Sequence, residues 1–176
     1  SPWEEVRDFF HYCDNYIDAV DRAAERFSSN GNKTIDPVSK ANDILRDRGI
    51  GLEISDSSAM RDFSGGMLRL SARAPSATQR FQLLHQIALL TQNDLLEATL
   101  DLARFQSETS RAIAKIGLAN YFAGAALLPY RAFVAAARET RHDLERLADR
   151  FGASIEQVAH RLSTLQRPGQ KGIPFF

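Results

Sequence analysis

Residues 80–90 read Arg80-Phe-Gln-Leu-Leu-His-Gln-Ile-Ala-Leu-Leu90, a run in which His85 and Gln86 are the only polar residues after the first turn. As a helix this segment is apolar on nearly every side. Such a helix has to be buried, because it has no polar face that can be turned toward water. We therefore expect residues 80–90 to form the central helix of the hydrophobic core.

His85 and Leu89 lie four residues apart, so they share one face of this helix. The same spacing holds the two zinc-binding histidines of the H-E-x-x-H motif in metallopeptidases. Here the five residues read H-Q-I-A-L. Gln86 replaces the carboxylate that activates the metal-bound water, and Leu89 replaces the second imidazole. The pattern predicts the helix of a zincin without a metal site and without a catalytic residue.

A second segment points to the same kind of scaffold. It reads Ile116-Gly-Leu-Ala-Asn-Tyr-Phe-Ala-Gly-Ala-Ala-Leu-Leu-Pro129 and resembles the second signature of ImmA/IrrE-type metallopeptidase domains. Members of that family carry a glutamate, the third zinc ligand, just before the Ala-Asn pair, and this chain has Leu118 there. The resemblance therefore implies a pseudo-peptidase in which the apolar scaffold is kept and the metal ligands are lost.

The C-terminal part makes this resemblance more specific. Together with the endings at 158–169 and 172–176, the two segments resemble the short-chain fatty acyl-CoA regulators, and within them the regulators of propionate metabolism and the methylcitrate cycle. The resemblance extends over about residues 52–176 and is most specific from Phe81 onward.

Proteins of this family are bacterial transcription factors, so the resemblance implies the function as well as the scaffold. It implies an effector-sensing domain that binds CoA or a short-chain acyl-CoA and has no enzymatic activity. DNA is then contacted only through an N-terminal helix-turn-helix, and an iron–sulfur cluster belongs only to a cysteine-containing C-terminal region. Neither region is in this chain, which lacks a starting methionine and reads as a fragment.

The composition bounds the remaining function classes. Lys and Arg equal Asp and Glu at 22 each, so no global charge attracts nucleic acid or a membrane. The single Cys13 allows no internal disulfide and cannot alone hold zinc or an iron–sulfur cluster. The longest uncharged run, residues 116–130, is too short to span a bilayer. We expect one soluble, cytoplasmic domain without a cofactor of its own.

The first segment, from Pro2 to about Phe27, predicts one long amphipathic helix. Its apolar residues alternate at steps of three and four, which is a heptad pattern. They are Trp3, Val6, Phe10, Cys13, Ile17, Val20, Ala24 and Phe27. Either this stripe packs on the chain's own core, or residues 1–30 are a linker and oligomerisation helix preceding a sensor domain at 31–176. In the second case Phe10, Ile17, Val20 and Phe27 hold a homodimer or homotetramer together.

The middle of the chain predicts a small antiparallel sheet, with strands at 51–54 and 60–72 and a turn at Ser64-Gly-Gly66. We expect a mainly helical α+β fold in which this sheet packs on the zincin-like helix pair. Arg69 and Arg73 share one face of the last strand, because side chains alternate along a strand. With Arg80 they either surround an anion or simply keep an edge strand soluble.

Two groups of residues complete the predicted effector site. The helix pair should enclose His85, Leu89, Leu118 and Phe122 near the vacant metal position, with Tyr121 adding bulk; alternatively, His85 is a satisfied core imidazole. The loop at 166–172 is basic and rich in glycine, so Arg167 and Lys171 can meet a phosphate or merely carry surface charge.

Residues 143–165 offer a competing function, because two short helices joined across Phe151-Gly-Ala-Ser154 resemble a DNA-binding helix-turn-helix. Ser154 and Gln157 predict a capping box at the start of the second helix. Glu156 stands among its first exposed residues, where a recognition helix presents basic or amide groups. A core helical hairpin is the favoured interpretation, and an active zinc metallopeptidase is the other alternative to a sensor.

Overall fold

The computed structural model describes residues 1–56 and 61–172. The helices are α1 (Pro2–Tyr12), α2 (Asp18–Phe27), α3 (Pro37–Asp47), α4 (Ser76–Thr91), α5 (Asn93–Ala103), α6 (Glu108–Leu127), α7 (Tyr130–Glu139), α8 (Leu144–Phe151) and α9 (Ile155–Leu162). The strands are β1 (Ser29–Asn30), β2 (Lys33–Thr34), β3 (Gly51–Ser55), β4 (Arg61–Ser64) and β5 (Met67–Ser71). The predicted class, a mainly helical α+β fold with small sheets, is confirmed.

The helix pair α4 and α6 forms the centre of the core, as the apolar run at 80–90 predicts. Leu84 and Ile87 of α4, and Leu118 and Phe122 of α6, are all fully buried. Helix α4 ends at Thr91, and α5 follows as a separate helix after a break at Gln92.

The sheet packed beside α4 has the order β3-β5-β4. Its β4–β5 hairpin is antiparallel and turns through Gly65 and Gly66, whose φ angles of +58° and +72° suit glycine. The prediction of a purely antiparallel sheet is wrong for β3, which runs parallel to β5. The predicted strand start at Met60 lies outside the described residues, as do Phe175 and Phe176, which the sequence reads as part of a strand.

The prediction of one helix from Pro2 to Phe27 is wrong. The chain turns between α1 and α2 through Asp14 and Asn15, whose φ angles of 55° and 60° are left-handed and cannot continue a helix. Asp and Asn tolerate that conformation better than most residues, and heptad spacing alone gives no sign of it.

The apolar stripe of this segment packs on the chain's own core. Ile17, Val20 and Phe27 are 7%, 0% and 5% exposed, and both α1 and α2 contact α6. The predicted oligomerisation role of these three side chains is therefore corrected, because a second subunit cannot reach them in this fold. Phe10 is half-buried against the core, and Trp3 and Tyr12 are the large side chains of α1 left exposed.

Polar side chains cap several of the helices. Asp36 caps α3, Ser107 caps α6, and Ser154 and Gln157 form the predicted capping box of α9. Across 1–56 and 61–172, no single helix is long and apolar enough to cross a membrane; α6 and α7 pass only as a pair bent by 56°.

Candidate functional site

At the inferred metal position, a hydrogen bond between His85 and Asn120 joins the two central helices, α4 and α6. His85 Nδ1 lies 2.7 Å from Asn120 Oδ1, so Nδ1 carries the proton and Nε2 holds the lone pair. The ring is 4% exposed, and burial, with a contribution from the Arg61 charge, lowers the pKa of His85 despite its bond to Asn120. The imidazole is neutral near pH 7. Its Nε2 has no hydrogen-bond partner among the described residues.

The neighbouring residues do not fit a zinc ion. Gln86 Oε1 accepts a 2.6 Å hydrogen bond from Arg61 Nη1, which places a cation next to the site. Leu118 is fully buried and Leu89 packs against the core, so neither offers a ligand atom. The described part of the chain contains no cluster of three or more His, Cys, Asp or Glu side chains arranged to hold a metal. Metal-dependent hydrolysis has no ligand set here.

A cavity of about 470 Å³ lies against the adjacent face of α6. This face carries Gly117, Asn120, Tyr121 and Gly124, which are spaced at three, four and seven residues. The wall is mostly apolar. It is completed by α1, the turn between α1 and α2, α4 and α9. The remaining lining residues are Phe10, Asn15, Phe81, Ala125, Glu156, Gln157, His160, Arg161 and Thr164.

Two glycines of α6 lie beside aromatic rings that line this cavity. A Cβ atom on Gly117 would come within 3.1 Å of the Phe10 ring, and one on Gly124 would lie 3.8 Å from the Phe81 ring. Neither glycine needs an unusual backbone angle, since both lie inside a helix. Glycine in a helix costs about 1 kcal/mol relative to alanine. Gly117 lets the Phe10 ring pack closely on α6, where a Cβ would crowd it, whereas a Cβ on Gly124 would make only an ordinary contact with Phe81.

The cavity adjoins a buried ionic network centred on Asp21, which is 0% exposed. Asp21 accepts hydrogen bonds from Arg161 Nη1 at 2.7 Å and Nη2 at 3.1 Å, and from the Tyr121 hydroxyl at 2.6 Å. That hydroxyl also accepts a bond from the Ile17 backbone N–H at 3.1 Å. Burial, and then the charge of Asp21, raises the pKa of Tyr121. The network therefore joins α2, α6 and α9 behind the cavity wall.

Arg167 extends this network and is not a surface group of the C-terminal loop. Its side chain is 1% exposed and donates to Asp21 Oδ1 at 3.1 Å, to Glu25 Oε1 at 3.1 Å and to the Tyr16 hydroxyl at 2.6 Å. These contacts use its donors inside the protein, so the expectation that it meets a phosphate from the loop is corrected. Lys171, by contrast, is exposed.

The structure does not bring the three predicted arginines together at the cavity. Arg69 Nη1 lies 3.4 Å from Asp62, on the neighbouring strand β4. Strand β5 ends at Ser71, so Arg73 falls in the following turn and does not share a strand face with Arg69. Arg80 Nε donates to the Gly152 carbonyl at 3.1 Å and thereby ties α4 to the α8–α9 turn.

The cavity is also displaced from the predicted pocket. Tyr121 is the predicted effector residue that lines it, whereas Leu118 and Phe122 point into the core one residue further along α6. A step of one residue turns a helical side chain by about 100°. The sequence reasoning missed Phe81, Gly117, Gly124, Asp21 and Arg161; the seven-residue glycine spacing was its one available signal.

The second helix of the suspected helix-turn-helix is part of the cavity. Gln157 Nε2 donates to the Ala77 carbonyl of α4, and Val158 and Leu162 are buried. Glu156 and Arg161 line the cavity. The favoured interpretation, a core helical hairpin, describes this geometry.

Comparison with known proteins finds relatives that are all named as regulators. A Cereibacter sphaeroides protein named propionyl-CoA carboxylase regulator is 74% identical over 176 residues, covering all of this chain. The Mycobacterium tuberculosis HTH-type transcriptional regulators PrpR and RamB are 45% and 37% identical over 181 residues, covering 99% of it. The chain spans only 38%, 37% and 38% of these three relatives' own lengths.

A solved structure of a Mycobacterium tuberculosis transcriptional regulator matches with a TM-score of 0.90 and 44% identity, covering 99% of this chain and 55% of that one. The family model described as the IrrE N-terminal-like domain, of a peptidase family, matches residues 48–163. The predicted resemblance to the regulators is thereby confirmed. The chain belongs to the IrrE N-terminal-like domain family.

Proposed function

We propose that this chain is the non-catalytic effector-binding domain of a transcriptional regulator of short-chain fatty acid and propionate metabolism, with CoA or a short-chain acyl-CoA as effector. The regulator names of three relatives support the general role. In this proposal the effector enters the cavity between α4, α6 and α9, and DNA is contacted by a part of the protein outside this chain.

The observation that carries the proposal is the cavity lined by Phe10, Phe81 and the glycine face of α6. Its volume of about 470 Å³ falls in the range of about 300–1,000 Å³ typical of small-molecule sites. A mostly apolar chain such as an acylated pantetheine arm matches a mostly apolar cavity that two aromatic rings line. The amide groups of such an arm need a few polar partners, and Asn15, Asn120 and His160 line the same cavity.

The absence of catalysis in this proposal rests on the chemistry of the inferred metal position. The neutral His85 is held by Asn120, and Gln86 is held by Arg61. Leu89 and Leu118 replace two ligands with hydrocarbon. No carboxylate remains at the motif position that activates water in H-E-x-x-H enzymes.

The test is calorimetric titration of CoA, acetyl-, propionyl- and butyryl-CoA, and of propionyl-pantetheine, into the native chain and into Gly124→Leu. The new side chain would extend into the cavity beside Phe81, so acyl-ligand affinity should fall at least tenfold. Ala112→Leu is the control, because Ala112 is exposed on the same helix and receives the same side chain. Full binding by Gly124→Leu would reject this cavity, and no binding of any ligand by the native chain would reject the effector.

Self-association is part of the proposed function and is measured separately. Because Ile17, Val20 and Phe27 are internal, an oligomer has to use other surfaces, and the exposed Trp3 and Tyr12 of α1 are the apolar side chains to change. We expect native mass spectrometry to report a dimer or tetramer that is weakened in Trp3→Ser with Tyr12→Ser. A monomeric native chain would contradict this part of the proposal.

A further inference from the structure

A second pocket, of about 350 Å³, lies on the surface between α2, the β1–β2 hairpin and the start of α7. Unlike the first cavity, its wall is mostly polar. Its charged members are Arg22, Arg26, Lys33, Arg131 and Glu25, so four cations face one carboxylate. The remaining lining residues are Ser28, Ser29, Gly31, Asn32, Thr34, Pro129 and Ala132.

Three of these cations, Arg26, Lys33 and Arg131, make no ion pair within residues 1–56 and 61–172. Exposed arginines elsewhere, such as Arg138 and Arg146, also make no ion pair there, so an unpaired charge alone does not mark a site. What distinguishes these three is that they line one concave pocket together, in a chain whose net charge is zero.

The single carboxylate of the pocket is already used. Glu25 Oε1 accepts from Arg167 Nη1 at 3.1 Å, and its Oε2 accepts from the Arg131 backbone N–H at 3.0 Å. Glu25 is therefore held toward the buried arginine and the first turn of α7. Arg22 is likewise neutralised by Asp18 at 2.9 Å. What remains for a ligand is the positive charge of Arg26, Lys33 and Arg131.

Groups that donate hydrogen bonds surround these charges. Thr34 brings a hydroxyl and Asn32 brings an amide, and the hairpin turns through Gly31 at a φ of +65°. The Ser29 hydroxyl already donates to the Arg26 carbonyl at 3.2 Å. Unpaired cations together with hydroxyl and amide donors in a concave site are the chemistry that recognises phosphate oxygens. We propose that this pocket binds the phosphate groups of a small molecule, with a diphosphate as the smallest complete ligand.

Two sources can supply a diphosphate: the nucleotide end of CoA and a free phosphate compound. The first source rests on the proposed function, and the second does not. Inorganic pyrophosphate is the probe for the pocket itself, and CoA compared with propionyl-pantetheine shows whether the effector's own phosphates use it. Propionyl-pantetheine lacks the nucleotide and depends on the first cavity alone. A failure of propionyl-pantetheine and of every CoA compound to bind would reject the proposed function, whereas pyrophosphate binding decides on the pocket separately.

The test is calorimetric titration of pyrophosphate into the native chain, into Lys33→Gln with Arg131→Gln, and into the control Arg138→Gln with Arg146→Gln. The control removes the same charge from exposed helix positions outside the pocket. We expect pyrophosphate to bind at least tenfold more weakly to the pocket variant and unchanged to the control. Circular dichroism of both variants confirms that they fold.

If the pocket variant also binds CoA at least tenfold more weakly while its affinity for propionyl-pantetheine is unchanged, the CoA phosphates bind in this pocket. If its affinity for CoA is unchanged, the ligand of the pocket is a free phosphate compound. Equal pyrophosphate affinities in the pocket and control variants would overturn the proposal. So would a variant that binds both phosphate ligands normally and loses affinity only for double-stranded DNA.

Discussion

Asp21→Asn should be among the most destabilising single substitutions in this chain. The carboxylate is fully buried and accepts four hydrogen bonds, two from Arg161, one from Arg167 and one from Tyr121. Asparagine keeps the shape but places an NH₂ group against a guanidinium and removes the charge that compensates two buried cations. Removing one partner of a buried pair costs about 3–5 kcal/mol, so we expect that loss of unfolding free energy.

For a chain of this size, the loss corresponds to a decrease of about 6–20 °C in Tm. Urea unfolding followed by circular dichroism measures it, and an unchanged m-value shows that the unfolded reference is the same. Asp43→Asn is the control, because it breaks an exposed pair with Arg46, with both side chains more than half exposed. Such pairs contribute below about 1 kcal/mol.

A loss for Asp21→Asn within 1 kcal/mol of the control would refute the argument that this network holds the domain together. The double variant Asp21→Asn with Arg161→Gln sharpens the test. Once the aspartate is gone, removing Arg161 also removes an uncompensated buried charge, so the two losses should be less than additive.

Three further predictions rest on individual contacts. Burial lowers the pKa of His85, so the unfolded chain binds the proton first as the pH falls below about 6.5. The unfolding free energy from urea titrations should therefore be lower at pH 5.5 than at pH 7.5, and the difference should be smaller in His85→Gln. An equal difference in the native chain and in the variant would contradict the assignment. Ser154→Ala removes the capping box of α9 and should cost about 1 kcal/mol by the same measurement. Arg80→Ala removes the hydrogen bond to the Gly152 carbonyl, so it should lower the unfolding free energy but leave the affinity for propionyl-CoA unchanged. A tenfold loss of that affinity would show that Arg80 belongs to the effector site after all.

The features that could be predicted from the sequence are local ones. The apolar run around Leu84 and Ile87 identifies a buried helix because each turn repeats the same lack of a polar face. The presence of hydrocarbon at two of the inferred ligand positions follows from side-chain identity at Leu89 and Leu118. The capping box at Ser154 depends on two residues only three positions apart.

The features that sequence reasoning did not reach depend on distant contacts or on backbone angles. Asp21 is separated from Arg161 by 140 residues and from Arg167 by 146, and a helical periodicity that counts it as polar assigns it to the solvent face. The turn at Asp14 and Asn15 leaves the heptad spacing intact on both sides. The parallel pairing of β3 requires a crossover that the alternation of side chains does not record.

The cavity lies beside Gly117, whereas the predicted pocket was beside Leu118, and this difference has a physical reason. The polar groups left at the former metal position satisfy each other, as His85 does with Asn120 and Gln86 with Arg61, while the vacated ligand positions are filled with hydrocarbon.

Leu118, at one of the replaced ligand positions, is fully buried, whereas Leu89 is only partly buried against the core. His85 is held through Nδ1 by Asn120, and its Nε2 has no partner among the described residues. The next face of α6 differs, because Gly117 and Gly124 carry no side chains there and the cavity lies against them. In the proposed function, the effector therefore occupies a volume about 100° around α6 from Leu118 rather than the inferred metal position.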